Sequence, residues 1–422
     1  SMSRREFARL FAMGGSAAIL SHQTLLGSKP VRMTDPITSA GTVDWKTIRS
    51  QFLMPPELTV LNAANLCPSP APVLETVYNY TKRLDSKPVP SYRAEMREVK
   101  EKTRQELAKY LRVTPEEILI TRNTSESNNW VSNGLDLRAG DEVVIFSDNH
   151  PSNNEAWKER GKRFGFTVKE VPPVNPHPGF DYYLEAFKKA LTTRTRVLSF
   201  THLSNTVGDL FPAKELCSMA RNRGIITLID GAQSLGLLDV DLSDIQPDFY
   251  SGSAHKWPCG PKETGVLFVN KSIQERFWPS IYSAYKGREG LAQTHEGLGQ
   301  RDTPAIHAFG QQIEFLRKIG QEKIEERSGN IATEIIEELQ KIKDIYIFTS
   351  NERALRSAVV TFRPANLEPA KVVKALEEDG IVAANQGGKD WAGVRFSPHF
   401  YNSNSDVERA VGAIRRYLQK GL

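Results

Sequence analysis

The chain has 422 residues, of which 39% are hydrophobic and 25% are charged, and its formal net charge is +5. This composition is that of a globular protein long enough for a large α/β domain and a smaller one, and it excludes disordered and fibrous classes. Five arginines and lysines fall within residues 1–32, against one glutamate, so the rest of the chain is close to neutral. Because a general affinity for nucleic acid requires clustered basic residues, we predict no nucleic-acid partner.

The N-terminal stretch SRREFARLFAMGGSAAIL joins an arginine pair to an apolar run from Leu10 to Leu20. The run is too short to span a bilayer but fits the core of a signal peptide. It resembles a twin-arginine export signal, which predicts a periplasmic protein and the twin-arginine export machinery as a partner. The alternative is a basic amphipathic helix on the folded domain, which the two glycines disfavour. We assign residues 1–32 to the signal and linker, with the point of cleavage left open.

Strand-like and helix-like segments alternate from Val60 onward, which predicts an α/β fold with a mainly parallel sheet flanked by helices. After Arg301, long helical runs flank the short strands SAVVTF and GVRFS, which predicts a smaller α+β C-terminal domain. We therefore expect a large domain over residues 61–300, a small domain over residues 301–422, and an N-terminal segment, residues 33–60, that packs with the small domain. The predicted strands of the large domain are EILIT, EVVIF, RVLSF, IITLID, PDFYSG and GVLFV.

One lysine, Lys256, lies in SGSAHKWPCGPKETG, a turn rich in glycine and proline. Such turns are typically exposed loops, and lysine is typically a solvated residue. The flanking runs DFYSGS and GVLFVNKS are apolar and β-rich, however, so the turn joins two predicted core strands. Burial there would lower the pKa of Lys256, and the neutral amine is the form that makes a Schiff base with a carbonyl.

Polar residues also follow the other predicted strands, and in doubly wound sheets ligands bind at the carboxyl ends of strands. TRNTSESNN opens a helix after EILIT and could offer hydroxyls and free amides to a phosphate, although an ordinary helix cap is the alternative. Asp230 ends a very apolar strand, where an unpaired carboxylate is costly, so a cationic partner is implied for it. The remaining candidates are His150, Asn205, Gln233, Ser253 and His255.

One cofactor, pyridoxal 5'-phosphate (PLP), would use these groups together. It needs a lysine for its aldehyde, a carboxylate to keep its ring nitrogen protonated, a phosphate cradle and a flat partner for its ring. Lys256 and Asp230 form the decisive pair, and both follow successive strands. The three cysteines, Cys67, Cys217 and Cys259, are too far apart in sequence for a metal-binding motif, so we predict structural thiols and no metal site.

The order of these clusters resembles the fold-type I PLP enzymes of aminotransferase class V, and in particular their isopenicillin N epimerase-like branch. The resemblance runs from about Leu61 to the C-terminus. It implies Lys256 as the Schiff-base lysine, Asp230 as the partner of the pyridine nitrogen and His150 as the ring stacked on the cofactor, and these three are the predicted catalytic residues. It further implies Gln233 at the ring hydroxyl, Asn205 near the ring and substrate, and Thr124, Ser125, Ser253 and His255 as phosphate ligands.

The C-terminal stretch VRFSPHFYNS resembles the substrate-binding motif of the same family. The resemblance implies Arg395 as the clamp on the substrate's α-carboxylate, a role that suits a planar guanidinium, with an ordinary surface-strand arginine as the alternative. Residues 260–422 contain no cysteine, which disfavours a persulfide-forming cysteine desulfurase. In GLGQRDTPAIHAF, Gln300 replaces a threonine that family members use to reach the neighbouring subunit, and Arg301 and Asp302 could form a buried ion pair.

The reaction itself is not selected by these residues, since transamination, elimination and epimerisation share their first steps. We favour an exported aminotransferase or C–S/β-lyase that acts on the α-amino group of an amino acid or peptide-like substrate. Periplasmic members that tailor siderophores are the analogy for this choice. An epimerase is the alternative, and a non-catalytic scaffold is disfavoured because Lys256, Asp230 and His150 are all present. The resemblance also implies a homodimer.

Overall fold

The structure is a computed structural model that describes residues 33–38, 41–282, 290–388 and 391–422. The predicted export signal, residues 1–32, lies outside the described residues. The described strands are β1 (Thr59–Val60), β2 (Ile118–Thr121), β3 (Glu142–Phe146), β4 (Thr167–Val171), β5 (Thr195–Thr201), β6 (Ile226–Asp230), β7 (Phe249–Ser253), β8 (Gly265–Val269), β9 (Ile345–Ile347), β10 (Val360–Pro364), β11 (Ile381–Val382), β12 (Ala384–Gln386) and β13 (Gly393–Phe396).

The α-helices of the described residues surround these strands. None of them is both long enough and apolar enough to cross a membrane. In chain order they are Trp45–Ser50, Ala71–Ser86, Tyr92–Leu111, Thr124–Gly134, Pro151–Phe164, Phe180–Ala190, Ala213–Arg221, Leu242–Ile245, Leu291–His295, Thr303–Ile319, Gln321–Gln340, Pro369–Glu378 and Asn404–Lys420.

Seven strands form the sheet of the large domain in the order β2-β8-β7-β6-β5-β3-β4. The strands from β7 to β4 pair in parallel, and β8 runs antiparallel to both of its neighbours. The carboxyl ends of β2, β3, β5, β6 and β7 therefore lie along one edge of the sheet. This arrangement, with the smaller sheet described below, confirms the predicted α/β class and brings the polar residues after those strands together.

Both faces of the large sheet are covered, which explains why its strands read as nearly continuous apolar runs. In β3, Val143 and Ile145 pack into one apolar core and Val144 and Phe146 into another. The alternation follows from the two-residue period of a strand, which points successive side chains to opposite faces.

The small domain contains a four-stranded antiparallel sheet in the order β12-β13-β10-β9. The N-terminal segment is tied to this domain, because β1 pairs in parallel with β11. Next to that pair, the Leu61 amide donates to Val382 O at 2.9 Å and the Ala63 amide donates to Ser397 O at 3.1 Å.

The helix Thr303–Ile319 connects the two domains and lies against the large-domain helices Ala71–Ser86 and Tyr92–Leu111. At the contact, Thr103 Oγ1 donates to Ile306 O at 2.9 Å, and a Cβ on Gly310 would come within 2.5 Å of the same hydroxyl. The helical run predicted beyond Arg301 divides at Gly320, whose φ of +98° ends one helix and begins the next.

The expected ion pair between Arg301 and Asp302 is not formed. Asp302 caps the following helix by accepting a hydrogen bond from the Ala305 amide at 3.0 Å, and Arg301 Nη1 donates to Ile120 O at 3.2 Å. Adjacent residues at a helix start point in different directions, so each side chain satisfies a separate backbone group.

A buried charge cluster lies near the same region and is centred on Glu296, whose side chain is 1% exposed. Its carboxylate accepts from Arg104 at 2.7 and 3.1 Å, from the Ile120 amide at 2.7 Å, and pairs with Lys100 at 2.5 Å. Burial raises the pKa of Glu296, but the charges of Arg104 and Lys100 outweigh it and lower the pKa to about 2. The cluster therefore joins the helix Tyr92–Leu111 to β2 and to the segment before the connecting helix.

Candidate active site

A cavity of about 260 Å³ opens at the carboxyl edge of the large sheet, where the small domain meets it. All ten residues that the sequence singled out line this cavity, although they come from six separate segments of the chain. They are Thr124, Ser125, His150, Asn205, Asp230, Gln233, Ser253, His255, Lys256 and Arg395. Its other lining residues are Ala64, Asn65, Asn123, Ser152 and Ala232.

Lys256 enters the cavity from the turn between β7 and β8. The turn is anchored by the Cys259 amide, which donates to Lys256 O at 2.9 Å, and by the fully buried Trp257. Burial, opposed by the charge of Asp230 and assisted by that of Arg395, lowers the pKa of Lys256 to about 8. A substantial fraction of the amine is thus neutral near pH 8, as a nucleophile or a base must be.

Asp230 lies at the end of β6 and is 2% exposed. Its carboxylate accepts from Asn128 Nδ2 at 2.8 Å, from Asn153 Nδ2 at 3.4 Å and from the Ala232 amide at 3.1 Å. The cationic partner expected for it is absent from the ion pairs of the described residues, because neutral amides satisfy the carboxylate instead. Its charge remains available to a cation in the cavity.

The sequence interpretation missed Asn128 and Asn153, which orient Asp230 from two helices. Asn128 also accepts from Ser251 Oγ at 2.7 Å, and Asn153 accepts from Trp157 Nε1 at 3.1 Å. Asn153 lies in the first turn of its helix and Asn128 just past the first turn of its own, so only their helical spacing could have indicated that they face the sheet.

The N-terminus of the helix Thr124–Gly134 forms one wall of the cavity. Asn123 caps this helix by accepting from the Glu126 amide, so Thr124 does not serve as the cap. The Thr124 amide donates to Ser253 Oγ at 2.8 Å, and the two hydroxyls lie 2.7 Å apart. With Ser125 and His255 alongside, three hydroxyls and an imidazole line the cavity at the start of this helix, an arrangement that suits a phosphate.

His150 and Gln233 also line the cavity, and hydrogen bonds hold each side chain in place. His150 caps the helix Pro151–Phe164, and its Nδ1 lies 2.8 Å from Ser152 Oγ. Burial and the charge of Lys256 lower the pKa of His150, which favours a neutral flat ring. Gln233 donates to Ala64 O at 3.0 Å and accepts from Trp257 Nε1 at 2.7 Å, so both ends of its amide are held.

Arg395 reaches the cavity from β13 of the small domain and is 6% exposed. Its Nη1 donates to the carbonyl of Asn205 at 2.7 Å, while its buried Nε has no partner among the described residues. No described carboxylate pairs with it, and burial lowers its pKa to about 10. A buried cation without a counter-ion is costly, so the site is suited to an anion.

Asp148, which the sequence interpretation did not single out, supports the loop that holds Asn205. It accepts from Ser204 Oγ at 3.1 Å and from Thr206 Oγ1, the hydroxyls on either side of Asn205. Burial raises the pKa of Asp148 to about 6, although these hydrogen bonds oppose the shift. The carboxylate therefore fixes the loop whose carbonyl orients Arg395.

These residues fit PLP in three independent respects. The uncompensated carboxylate of Asp230 suits a protonated ring nitrogen, Lys256 has a lowered pKa that suits attack on an aldehyde, and the helix N-terminus with Ser253 suits a phosphate. Arg395 lines the same cavity, and its guanidinium is suited to bind the carboxylate of a substrate beside the cofactor.

Comparisons with known proteins agree with the geometry. The sequence profile of aminotransferase class V matches residues 60–410. An isopenicillin N epimerase of Amycolatopsis lactamdurans is 28% identical over 390 residues, which cover 88% of this chain and 98% of that protein. A probable cysteine desulfurase of Methanothermobacter thermautotrophicus is 27% identical and covers 82% of this chain and 92% of its own length.

Among solved structures, a C-DES mutant with glycine covalently linked to its PLP cofactor superposes with a TM-score of 0.80 at 21% identity, over 87% of this chain and 98% of the other. At this identity the likeness establishes the shared fold. The profile match spans both domains and all ten predicted site residues, and it confirms PLP as the cofactor. The chain belongs to the aminotransferase class V family of PLP-dependent enzymes.

Proposed function

We propose that the protein is an aminotransferase or C–S/β-lyase that acts on the α-amino group of an amino acid or an amino-acid-like residue of a peptide. The observation that carries the proposal is that Lys256 and the unpaired Arg395 line one cavity. A ligand with adjacent amino and carboxylate groups satisfies both residues, because the guanidinium binds the carboxylate and the amino group lies towards the lysine.

Each residue of the cavity then has a task. Lys256 would hold the aldehyde of PLP, and Asp230, His150 and Gln233 would hold its ring. Thr124, Ser125, Ser253 and His255 would hold its phosphate. When bound, PLP supplies an electron sink that makes the bonds of the substrate's α-carbon easier to break. Lys256 Nζ would then remove the proton from that carbon, and Arg395, with Asn205, would keep the carbon within its reach.

The described cavity favours proton movement on one face of the substrate. Burial lowers the pKa of Lys256, which suits a base on its side of the substrate. Burial also lowers the pKa of His150, on the proposed opposite face, which favours the neutral ring and disfavours it as the acid that would return a proton there. Epimerisation must return a proton to the opposite face, whereas transamination and elimination need only one base. An epimerase remains the second candidate, since isopenicillin N epimerases are 28% identical to this chain over almost their whole length.

A persulfide-forming desulfurase is a weaker candidate. Cysteine is absent from the described lining of the cavity, and residues 260–422 contain none. The thiols of Cys67 and Cys259 are buried and are not part of the described lining. Formation of an enzyme-bound persulfide requires an accessible thiolate, which neither provides.

Product analysis with a panel of L-amino acids separates the three reactions. An aminotransferase without an acceptor should stop after about one equivalent of keto acid per site and resume when a keto acid is added. A lyase should release ammonia continuously, and an epimerase should give the D-amino acid and no keto acid. Persulfide on the protein, or no product from free amino acids and peptides alike, would contradict the proposal.

Replacing Arg395 by lysine should raise KM for the amino substrate about 100-fold with a smaller effect on kcat, because an ammonium cannot form the paired hydrogen bonds of a guanidinium. Steady-state kinetics on the PLP-loaded protein measure both constants. Arg363→Lys, on the exposed side of β10, is the matched control and should leave KM unchanged. An unchanged KM in Arg395→Lys would remove Arg395 from the substrate site.

Loading of the apoprotein with PLP should accelerate as the pH rises through about 8 and then level off. Burial depresses the pKa of Lys256 to about 8, so the neutral amine that attacks the aldehyde becomes the main form above that pH. Stopped-flow absorbance between about pH 6 and 10 measures the rate. A midpoint near the ordinary lysine value of 10.5 would show that Lys256 is not perturbed.

We also propose that the protein is exported to the periplasm by the twin-arginine machinery and works as a homodimer. The arginine pair of residues 1–32 supports export by the twin-arginine machinery.

Membership of the family supports the homodimer, although Gln300 stands where the family's cross-subunit threonine is expected. Fractionation of cells that express the full chain, with Arg4→Lys/Arg5→Lys as the control, and light scattering of the purified protein test the two separately.

A further inference from the structure

Two of the three cysteines meet next to segments that line the cavity. Cys67 follows the segment that contributes Ala64 and Asn65 to the lining, and Cys259 lies in the turn that carries Lys256. The two Sγ atoms lie within 4.8 Å of each other, and the side chains are 1% and 0% exposed. Residues distant in sequence thus place two thiols side by side.

The backbone already holds these two segments in register. The Cys67 amide donates to His255 O at 2.8 Å, and Ser69 Oγ donates to Gly260 O at 3.0 Å. Both bonds thus join the two segments close to the cysteines, and on the second segment they flank Cys259. A covalent link between the sulfurs would therefore require a local approach of two side chains rather than a rearrangement of the chain.

The backbone of Cys259 adds an independent observation. Its φ is +55°, in the left-handed region that glycine, asparagine and aspartate tolerate and that other residues occupy at a cost. The fold therefore holds Cys259 in a costly backbone conformation that keeps its side chain next to Cys67.

A metal ion is the competing explanation, because His399 also lies within 4.8 Å of both sulfurs. His399 Nε2 lies 2.6 Å from Trp257 O, and since a carbonyl only accepts, this nitrogen carries the hydrogen. Its Nδ1 then accepts from Ser328 Oγ at 3.1 Å. Both ring nitrogens of His399 are thus engaged in hydrogen bonds, so neither is free to bind a metal ion. The Cys67 thiol is held only by long contacts, 3.9 Å to Ala63 O and 3.8 Å to Tyr401 Oη, and can therefore turn towards Cys259.

We propose that Cys67 and Cys259 form a reversible thiol–disulfide pair. In the oxidation, a small disulfide such as oxidised glutathione accepts two electrons and two protons and becomes two thiols, while the two Sγ atoms lose their hydrogens and bond to each other. The bond would tie the segment of Asn65 to the turn of Lys256. Burial raises the pKa of the Cys259 thiol, so the reactive thiolate is scarce and the oxidation is slow in the folded protein.

The test uses the PLP-loaded full chain in two ways. One sample is incubated with oxidised glutathione for days, and another is unfolded under reducing conditions and refolded with PLP in a glutathione redox buffer. Free thiols are then blocked with N-ethylmaleimide under denaturing conditions, and protease digestion with mass spectrometry maps the peptides. The expected product is a Cys67–Cys259 peptide pair that is lighter by two hydrogen atoms and separates on reduction, with Cys217 blocked as a free thiol.

Cys217→Ser, which removes the buried thiol of the helix Ala213–Arg221, is the matched control and should leave the linked peptides in place. Cys67→Ser should abolish them. The oxidised protein should also unfold at a higher urea concentration than the reduced protein, since the bond closes a very long loop. Free thiols at both positions after both treatments, or a stoichiometric metal that blocks them in the untreated protein, would overturn the proposal.

Discussion

Replacing Lys256 by alanine should lower kcat/KM by about 10³-fold or more and abolish covalent retention of PLP. The variant loses both the amine that would hold the cofactor and the base that would move the α-proton, and each contributes separately to the rate. Retention is measured by absorbance after gel filtration, and kcat/KM is measured with the substrate identified by product analysis.

Lys262→Ala is the matched control, because Lys262 lies in the same turn and is exposed. It should retain PLP and full activity. If Lys256→Ala kept the cofactor covalently bound, another amine would have to be the attachment site, and the assignment of this turn would be wrong.

Replacing Glu296 by glutamine should lower the free energy of unfolding by about 3 kcal/mol or more. The substitution keeps the shape of the side chain but removes the counter-ion of Lys100 and leaves the buried guanidinium of Arg104 with only the exposed carboxylate of Glu101. Urea denaturation at pH 7 in saturating PLP measures the loss. Glu98→Gln, which breaks an exposed pair with Lys102, should cost less than about 1 kcal/mol.

The pH dependence of the Glu296→Gln effect distinguishes a charge cluster from simple packing. The pKa of Glu296 is lowered to about 2 from an ordinary 4.5, so its stabilising charge is fully present above pH 4.5 and is lost as the pH falls towards 2. The difference between wild type and variant should therefore shrink across that interval. A difference that stays constant would show that the lost stability comes from packing.

Periodicity and turn chemistry located most of the large domain. EVVIF and GVLFV coincide with β3 and β8, because continuous apolar runs are what a sheet covered on both faces requires. The prediction did not identify β4, whose sequence TVKEV is half exposed at the sheet edge and carries two charges. The antiparallel direction of β8 also had no local signal, since strand direction depends on pairing across the whole sheet.

The candidate site was predictable where chemistry follows a strand end and unpredictable where it depends on side-chain packing. Nine of the ten predicted residues line the cavity because strands of the large sheet share one carboxyl edge, whereas Arg395 reaches it from β13 of the small domain. The amides that orient Asp230 come from within helices, at Asn128 and Asn153, and no strand-end pattern indicates them. The partner of Arg395, the Asn205 carbonyl, is a backbone group that any residue type could supply.

The segment that runs past the cavity is held by different domains at its two ends. Ala63 is bonded to Ser397, two residues beyond Arg395, whereas Cys67 is bonded to His255, next to Lys256. Because the Ala64 carbonyl also accepts from Gln233 of the large domain, the junction between Ala63 and Ala64 would absorb a change in the angle between the domains. A substrate carboxylate that draws Arg395 towards the cavity would also move the segment between Ala63 and Cys67, because Ala63 is bonded to Ser397. Binding of the carboxylate and narrowing of the cavity entrance would then be coupled.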